Sequence, residues 1–121
     1  MSDRGAPVAD CLFCRIVAGE IPSDRVHEDD QVIAFRDIAP RAPTHILVIP
    51  RAHIASAAEL TGADGPLLGR LFGAAAQVAR EQGIADDGYR LVTNVGRWGG
   101  QTVDHLHLHL MGGRPFDWPP G

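Results

Sequence analysis

The 121 residues contain no lysine; all 11 basic residues are arginine. That absence excludes a P-loop, which needs a phosphate-binding lysine. It equally excludes Schiff-base chemistry and a lysine general base. Cysteine is scarce, and two residues cannot build a disulfide framework. No stretch approaches the ~18 consecutive apolar residues of a membrane helix. Residues 1–10 lack the apolar segment of a signal peptide, so a cytoplasmic protein without a membrane partner is expected. Positive charge is short as well. The formal net charge is −4, which leaves no basic footprint for nucleic acid.

What is present reads as ordinary globular composition, with 45% hydrophobic and 21% charged residues. The length suits one domain over 1–121, with a flexible start at 1–9 and a tail at 112–121. A short helix over 11–18 is predicted, capped by Asp10 and closed by Gly19. Strands over 26–28 and 32–38 form a hairpin around Asp29-Asp30. A central strand over 45–49 stops at Pro50. Asp64 is the expected cap of the one long helix, 66–82, whose buried stripe is Leu67, Leu68, Leu71, Phe72, Val78 and Ala79. Strands follow over 89–95 and 105–111, and the Gly/Pro-rich tail has no regular structure. The order gives an α+β fold, an antiparallel sheet of about five strands covered by helix.

The segment from His105 to Met111 alternates strictly, H-L-H-L-H-L-M. In a strand, Leu106, Leu108 and Leu110 enter a core, and His105, His107 and His109 share the other face at ~6.6–7 Å spacing. Three imidazoles on one face exceed what a solvated strand requires. Neutral imidazole is a nucleophile for phosphorus, and a neighbouring imidazole can protonate a leaving group. Just upstream, Gly99-Gly100 can bring backbone N–H groups to an anion, with Asn94, Gln101 and Thr102 as further donors. Cys11-x-x-Cys14 has the spacing of half a metal site, the rest to come from histidine. A redox pair, a very short disulfide and two buried free thiols are the alternatives. His27, beside acidic residues, reads as a surface residue.

H-L-H-L-H-L-M resembles the motif of the histidine triad family. D-C-L-F-C-R-I-V-A-G-E-I-P-S, V-I-A-F-R-D-I-A-P-R-A-P-T-H-I-L-V-I-P and G-G-R-P-F-D-W-P-P-G resemble its Hint branch of nucleoside phosphoramidases. The likeness runs over nearly the whole chain and implies the fold of that family. It makes His107 the nucleophile, with His109 at the phosphate and His45 a further active-site histidine. It puts Asp37 at the ribose hydroxyls and Leu12, Phe13, Ile16, Phe35 and Ile38 around a purine. Asn94, Gly100, Gln101 and Thr102 would face the phosphate and leaving group. Bacterial members of the family imply zinc on Cys11, Cys14, His53 and His105. A homodimer is implied too, with the tail and Trp118 near the partner's site. Arg97-Trp98 and Asp104 depart from the pattern on the leaving-group side. The implied activity is hydrolysis of purine nucleoside 5′-phosphoramidates or aminoacyl adenylates through a nucleotidyl-histidine. The alternatives are a dinucleoside polyphosphate hydrolase and a non-catalytic purine-nucleotide-binding module.

Overall fold

A computed structural model describes residues 4–121. The chain forms a short helix α1 (Leu12–Val17), then strands β1 (Arg25–Glu28), β2 (Val32–Arg36) and β3 (Thr44–Pro50). Two single-turn 3₁₀ segments precede the long helix α2 (Gly65–Glu81). Strands β4 (Arg90–Val92) and β5 (Leu108–Gly112) complete one antiparallel sheet in the order β1-β2-β3-β5-β4.

The central strands are apolar on both faces because both faces are covered. Val32, Ala34, Ile46, Val48, Leu108 and Leu110 pack against Leu71, Ala74, Ala75, Val78 and Ala79 of α2. The opposite face offers Ile33, Phe35, Leu47 and Ile49, which pack against Cys11, Phe13, Cys14 and Ile16 of the α1 segment. A strand buried on both sides loses the alternation of a half-exposed one, which is why V-I-A-F and I-L-V-I read as continuous runs. The two layers have different tasks: α2 closes a dry core, and α1 covers only part of its face, leaving a cleft beside it.

Several expectations need correction. Asp10 does not cap α1; Cys11 does, its Sγ accepting the Cys14 N–H at 3.3 Å. Asp64 precedes α2 but makes no side-chain cap to it. Its carboxylate instead accepts the Thr61 N–H at 2.9 Å and pairs with Arg4, closing the preceding 3₁₀ turn. Phe72 is half exposed, and Ala74 and Ala75 take its place in the buried stripe. Residues 4–9 are tied down, since Gly5 forms a β-bridge with His53; residues 1–3 of the expected flexible start lie outside the described residues. β4 is only three residues long, and β5 begins at Leu108, so His105 and His107 precede it. His27 is not a solvated residue: its Nε2 lies 2.8 Å from Asp29 Oδ2 and its side chain is 15% exposed.

Candidate active site

Three histidines, His45, His107 and His109, meet where β3 and β5 run side by side. His45 sits opposite Met111 and Leu47 opposite His109, so His45 and His109 point to the same face of the sheet. His107 lies one step before β5 and is held by its own main chain, Nδ1 standing 2.6 Å from the His105 carbonyl. A carbonyl only accepts, so His107 carries its proton on Nδ1 and leaves a lone pair on Nε2. Phe13 meets its ring edge to face at 5.1 Å and limits rotation.

The same reasoning assigns the neighbours. The Arg41 N–H donates to His45 Nδ1 at 2.9 Å, so His45 carries its proton on Nε2. That Nε2 lies 2.9 Å from His109 Nδ1, which must accept, and the His109 proton therefore sits on Nε2. Burial pushes the His109 imidazole down to about 4, reinforced by His107 and His45. Burial lowers His45 too, with the nearby Asp37 carboxylate opposing the shift. Asp37 Oδ2 stands 3.5 Å from His45 Nε2.

A cleft of about 250 Å3 opens onto His107 and His109. Its walls include Leu12, Phe13, Ile16, Phe35 and Ile38, with Asp37 and Thr102 at the polar margin. Ile38 is fully exposed and Leu12 is 44% exposed, an unusual position for apolar side chains unless a flat partner covers them. Ile21, Pro22, Ser23, Leu47 and Val103 also line it, and none of these was singled out in the sequence. Ser23 could have been found only from the structure, because its signal is a buried hydroxyl without a hydrogen-bond partner.

The loop before the histidines is folded on itself. Gln101 accepts the Gly96 N–H at 2.9 Å and donates to the Ala55 and Val103 carbonyls at 2.7 and 3.0 Å. Asn94 Nδ2 donates to the Gly99 carbonyl at 2.6 Å, and the Gly100 N–H to the Arg97 carbonyl. In this geometry Gly100 and Gln101 shape the loop, Thr102 reaches the cleft margin, and Asn94 both holds the loop and lines a cavity with His45 and His109. Gly100 adopts φ +80°, and a Cβ on Gly99 would run into the Val95 carbonyl, so both glycines are structural requirements of the turn.

Cys11, Cys14, His53 and His105 form a second cluster, with ligand atoms all within 4.8 Å of one another, close enough to hold a metal ion. His105 Nε2 lies 2.8 Å from the Pro50 carbonyl, so its proton is there and Nδ1 offers a lone pair. That Nδ1 is 3.4 Å from Cys11 Sγ and 3.6 Å from Cys14 Sγ, and His53 Nδ1 is 3.3 Å from Cys14 Sγ. A tetrahedral zinc with bonds of ~2.3 Å to sulfur and ~2.0–2.1 Å to nitrogen separates such atoms by roughly 3.6 Å. The donor set therefore fits a closed zinc site, with the Pro50 carbonyl orienting a ligand from behind. Burial raises the Cys11 thiol, with Cys14 beside it, so without a cation Cys11 stays protonated. His105 is a member of this cluster rather than of the cleft.

The family model for the HIT domain matches residues 18–116. The chain belongs to the HIT domain family. Over 105 residues it is 51% identical to the purine nucleoside phosphoramidase of Escherichia coli K12, spanning 87% of this chain and 88% of that protein. A HIT family hydrolase from Legionella pneumophila has the same fold with a TM-score of 0.91 and 51% identity, over 93% of this chain and all of the other. A HIT family hydrolase from Clostridium thermocellum matches with a TM-score of 0.87 and 46% identity, over 94% and 97% of the two chains. This HIT protein is an enzyme of the hydrolase type. Its Cys pair and the α1 wall of the cleft lie before the first residue the family model matches.

Proposed function

We propose that this HIT protein hydrolyses the P–N bond of purine nucleoside 5′-phosphoramidates such as AMP-amine compounds, or the P–O bond of aminoacyl adenylates, through a nucleotide bound covalently to His107. The reading rests on one observation above all. The His105 carbonyl fixes the His107 proton on Nδ1 and leaves the Nε2 lone pair beside an apolar cleft that ends in a carboxylate. The similarity to the E. coli phosphoramidase supports the substrate class.

Leu12, Phe13, Ile16, Phe35 and Ile38 would sandwich the purine, since a flat heterocycle favours flat apolar walls. Asp37 would accept both ribose hydroxyls, two charge-assisted hydrogen bonds to one carboxylate. His107 Nε2 attacks the α-phosphorus as the bond to nitrogen breaks, and the electron pair leaves with nitrogen. A bound phosphate anion favours the charged form of a neighbouring imidazole, so His109 takes up one proton with the substrate and passes it to the departing amine. Charging His109 turns two N–H groups toward each other, and Asp37, 3.5 Å from the same His45 nitrogen, is the acceptor to which His45 then turns. Water next attacks phosphorus, gives a proton to His109, and frees AMP and neutral His107. Asn94, Gly100 and Gln101 serve this chemistry by holding the loop, and Thr102 by donating at the cleft margin.

Zinc on Cys11, Cys14, His53 and His105 would be structural: it supplies a crosslink and takes no part in the reaction. His105 binds it through Nδ1 while its carbonyl holds His107. Phe13, between the two cysteines in sequence, packs on both His105 and His107. The cluster is thereby coupled to the nucleophile and to the wall of the cleft. We read the protein as cytoplasmic and homodimeric, with purine nucleotide as its small-molecule partner. Among the described residues no helix is long and apolar enough to cross a membrane.

His107→Ala tests the proposal. The variant is expected to bind AMP within threefold of wild type by calorimetry and to lose at least 10³-fold in turnover. That loss corresponds to ~4 kcal/mol of barrier. Retention of activity within tenfold would contradict nucleophilic catalysis by this residue. AMP binding without hydrolysis of any phosphoramidate would make the protein a binding module instead. A higher kcat/KM on a dinucleoside polyphosphate would assign it to that substrate class.

A further inference from the structure

The ladder between β4 and β5 ends one step short of the nucleophile. Arg90, Leu91 and Val92 pair with Met111, Leu110 and His109. β4 stops at Val92 and β5 begins at Leu108, so the next main-chain hydrogen-bonded pair of this register, Asn94 with His107, is not formed. Outside the strand, the His107 ring bends back to the carbonyl two residues before it. The His107 and His109 rings stand only 5.0 Å apart, centroid to centroid. Same-side positions along a regular strand are ~6.6–7 Å apart. The departure from strand geometry therefore goes together with the close pairing of the two imidazoles.

Leaving the ladder has a cost, because His107 is buried and its carbonyl still needs a donor. Thr93, the first residue after β4, supplies one. Its hydroxyl donates to the His107 carbonyl at 2.8 Å. A side-chain O–H thus stands where a further ladder bond would have been. Threonine suits the task, since its branched Cβ restricts χ1 and holds the hydroxyl in one direction. Thr93 is itself exposed. A threonine present only for its strand preference would turn that hydroxyl to water. Here it reaches to a carbonyl 14 residues further along the chain, and that carbonyl belongs to the nucleophile. Thr93 does not line the apolar cleft.

Resting on the hydrolase reading above, we propose that Thr93 is a positioning residue for the reaction: its hydroxyl anchors the His107 main chain so that Nε2 stays aimed at phosphorus during transfer. The ring is tethered through Nδ1 to the His105 carbonyl and flanked by Phe13. Neither contact fixes the peptide from which the ring hangs. In the covalent step the Nε2–P bond forms and the bond from phosphorus to nitrogen breaks. The nitrogen leaves with the electron pair and takes a proton from His109. The His107 imidazole becomes cationic, and its Nδ1–H bond to the His105 carbonyl strengthens. That growing pull acts on the His107 ring, and the Thr93 anchor keeps the main chain from following it. A restraint that matters only as charge develops changes turnover and leaves ground-state binding alone.

The test follows amine release from an AMP phosphoramidate in a single turnover, and AMP affinity by calorimetry. Wild type, Thr93→Val and Thr93→Ser are compared. Valine keeps the branched shape and removes the donor; serine keeps the donor and loses a methyl group. Thr93→Val is expected to release the amine at least fivefold more slowly, ~1 kcal/mol of barrier, with AMP affinity within twofold of wild type. Thr93→Ser is expected to stay within twofold of wild type in both measurements. A loss of less than fivefold in Thr93→Val overturns this inference and leaves the hydrolase reading standing. Equal losses in the two variants, or a loss of AMP affinity as large as the loss of rate, also overturn it, because packing and not the hydroxyl would then be responsible. A wild type that cleaves no phosphoramidate overturns both.

Discussion

At the scale of single residues, this site is decided by where each imidazole keeps its proton. Three main-chain groups fix the pattern: the His105 carbonyl for His107, the Arg41 N–H for His45, and the Pro50 carbonyl for His105. None of these partners is visible in a list of residue types. The alternation of H-L-H-L-H-L-M nevertheless placed Leu106, Leu108 and Leu110 in the core, where all three are buried. It did not reveal that His105 and His107 would be buried as well, since α1 covers the face a lone strand would show to water. Buried neutral histidines tie stability to pH. The unfolded His109 titrates near ~6.5, and its folded form near about 4, so between these values the unfolded chain binds more protons. Stability is therefore complete above about pH 6.5 and declines as the pH falls toward 4. Urea midpoints measured at pH 7.0, 5.5 and 4.5 should decrease in that order, and His109→Gln should flatten the slope. A midpoint that rises on acidification would contradict the assignment.

At the scale of elements, the six residues of α1 do more than their length suggests. So short a helix is marginal alone, because nucleation costs more than its few hydrogen bonds return. It is held by Phe13 and Ile16 against the sheet and by Cys11 and Cys14 against His53 and His105. The Cys pair was legible from its spacing; its two histidines came from a resemblance, since no spacing rule links residues 14, 53 and 105. Zinc at this site would stabilise both the helix and the cleft wall that it carries. Protein purified without added metal is expected to contain close to one zinc per chain. Removing it with a strong chelator should lower Tm by at least 10 °C, which a loss of only ~3 kcal/mol would produce in a chain of this size. The same treatment should weaken AMP binding and increase hydrogen exchange across 11–18, with both restored by zinc. Metal-free protein with unchanged Tm and freely titrating thiols would contradict the structural role. The β5 strand carries a different load. Leu110 is fully buried beneath α2 and adjoins His109, so Leu110→Ala should cost ~2–5 kcal/mol by urea unfolding, the range for emptying a buried leucine site.

At the scale of the whole molecule, the five strands and both helices were readable from apolar periodicity and turn residues, and the order β1-β2-β3-β5-β4 was not. Strand and helix ends were less so. β5 begins three residues later than the pattern suggests, where the His105 ring turns to the Pro50 carbonyl and the His107 ring to the His105 carbonyl. The distribution of charge was hidden too. A net charge of −4 conceals the gathering of Arg41, Arg90 and Arg114 around one cavity beside His45 and His109. One face of one sheet thus presents an apolar cleft that ends in a pair of imidazoles, the order in which a base and a phosphorus would lie. The central claim is that phosphorus is transferred to His107. Rapid quenching of the enzyme during turnover of an AMP phosphoramidate, followed by mass spectrometry of its peptides, tests it directly. An adenylyl group on His107, absent from His107→Ala, is the predicted result; turnover with no histidine adduct, or an adduct on His109 or His45, would contradict it.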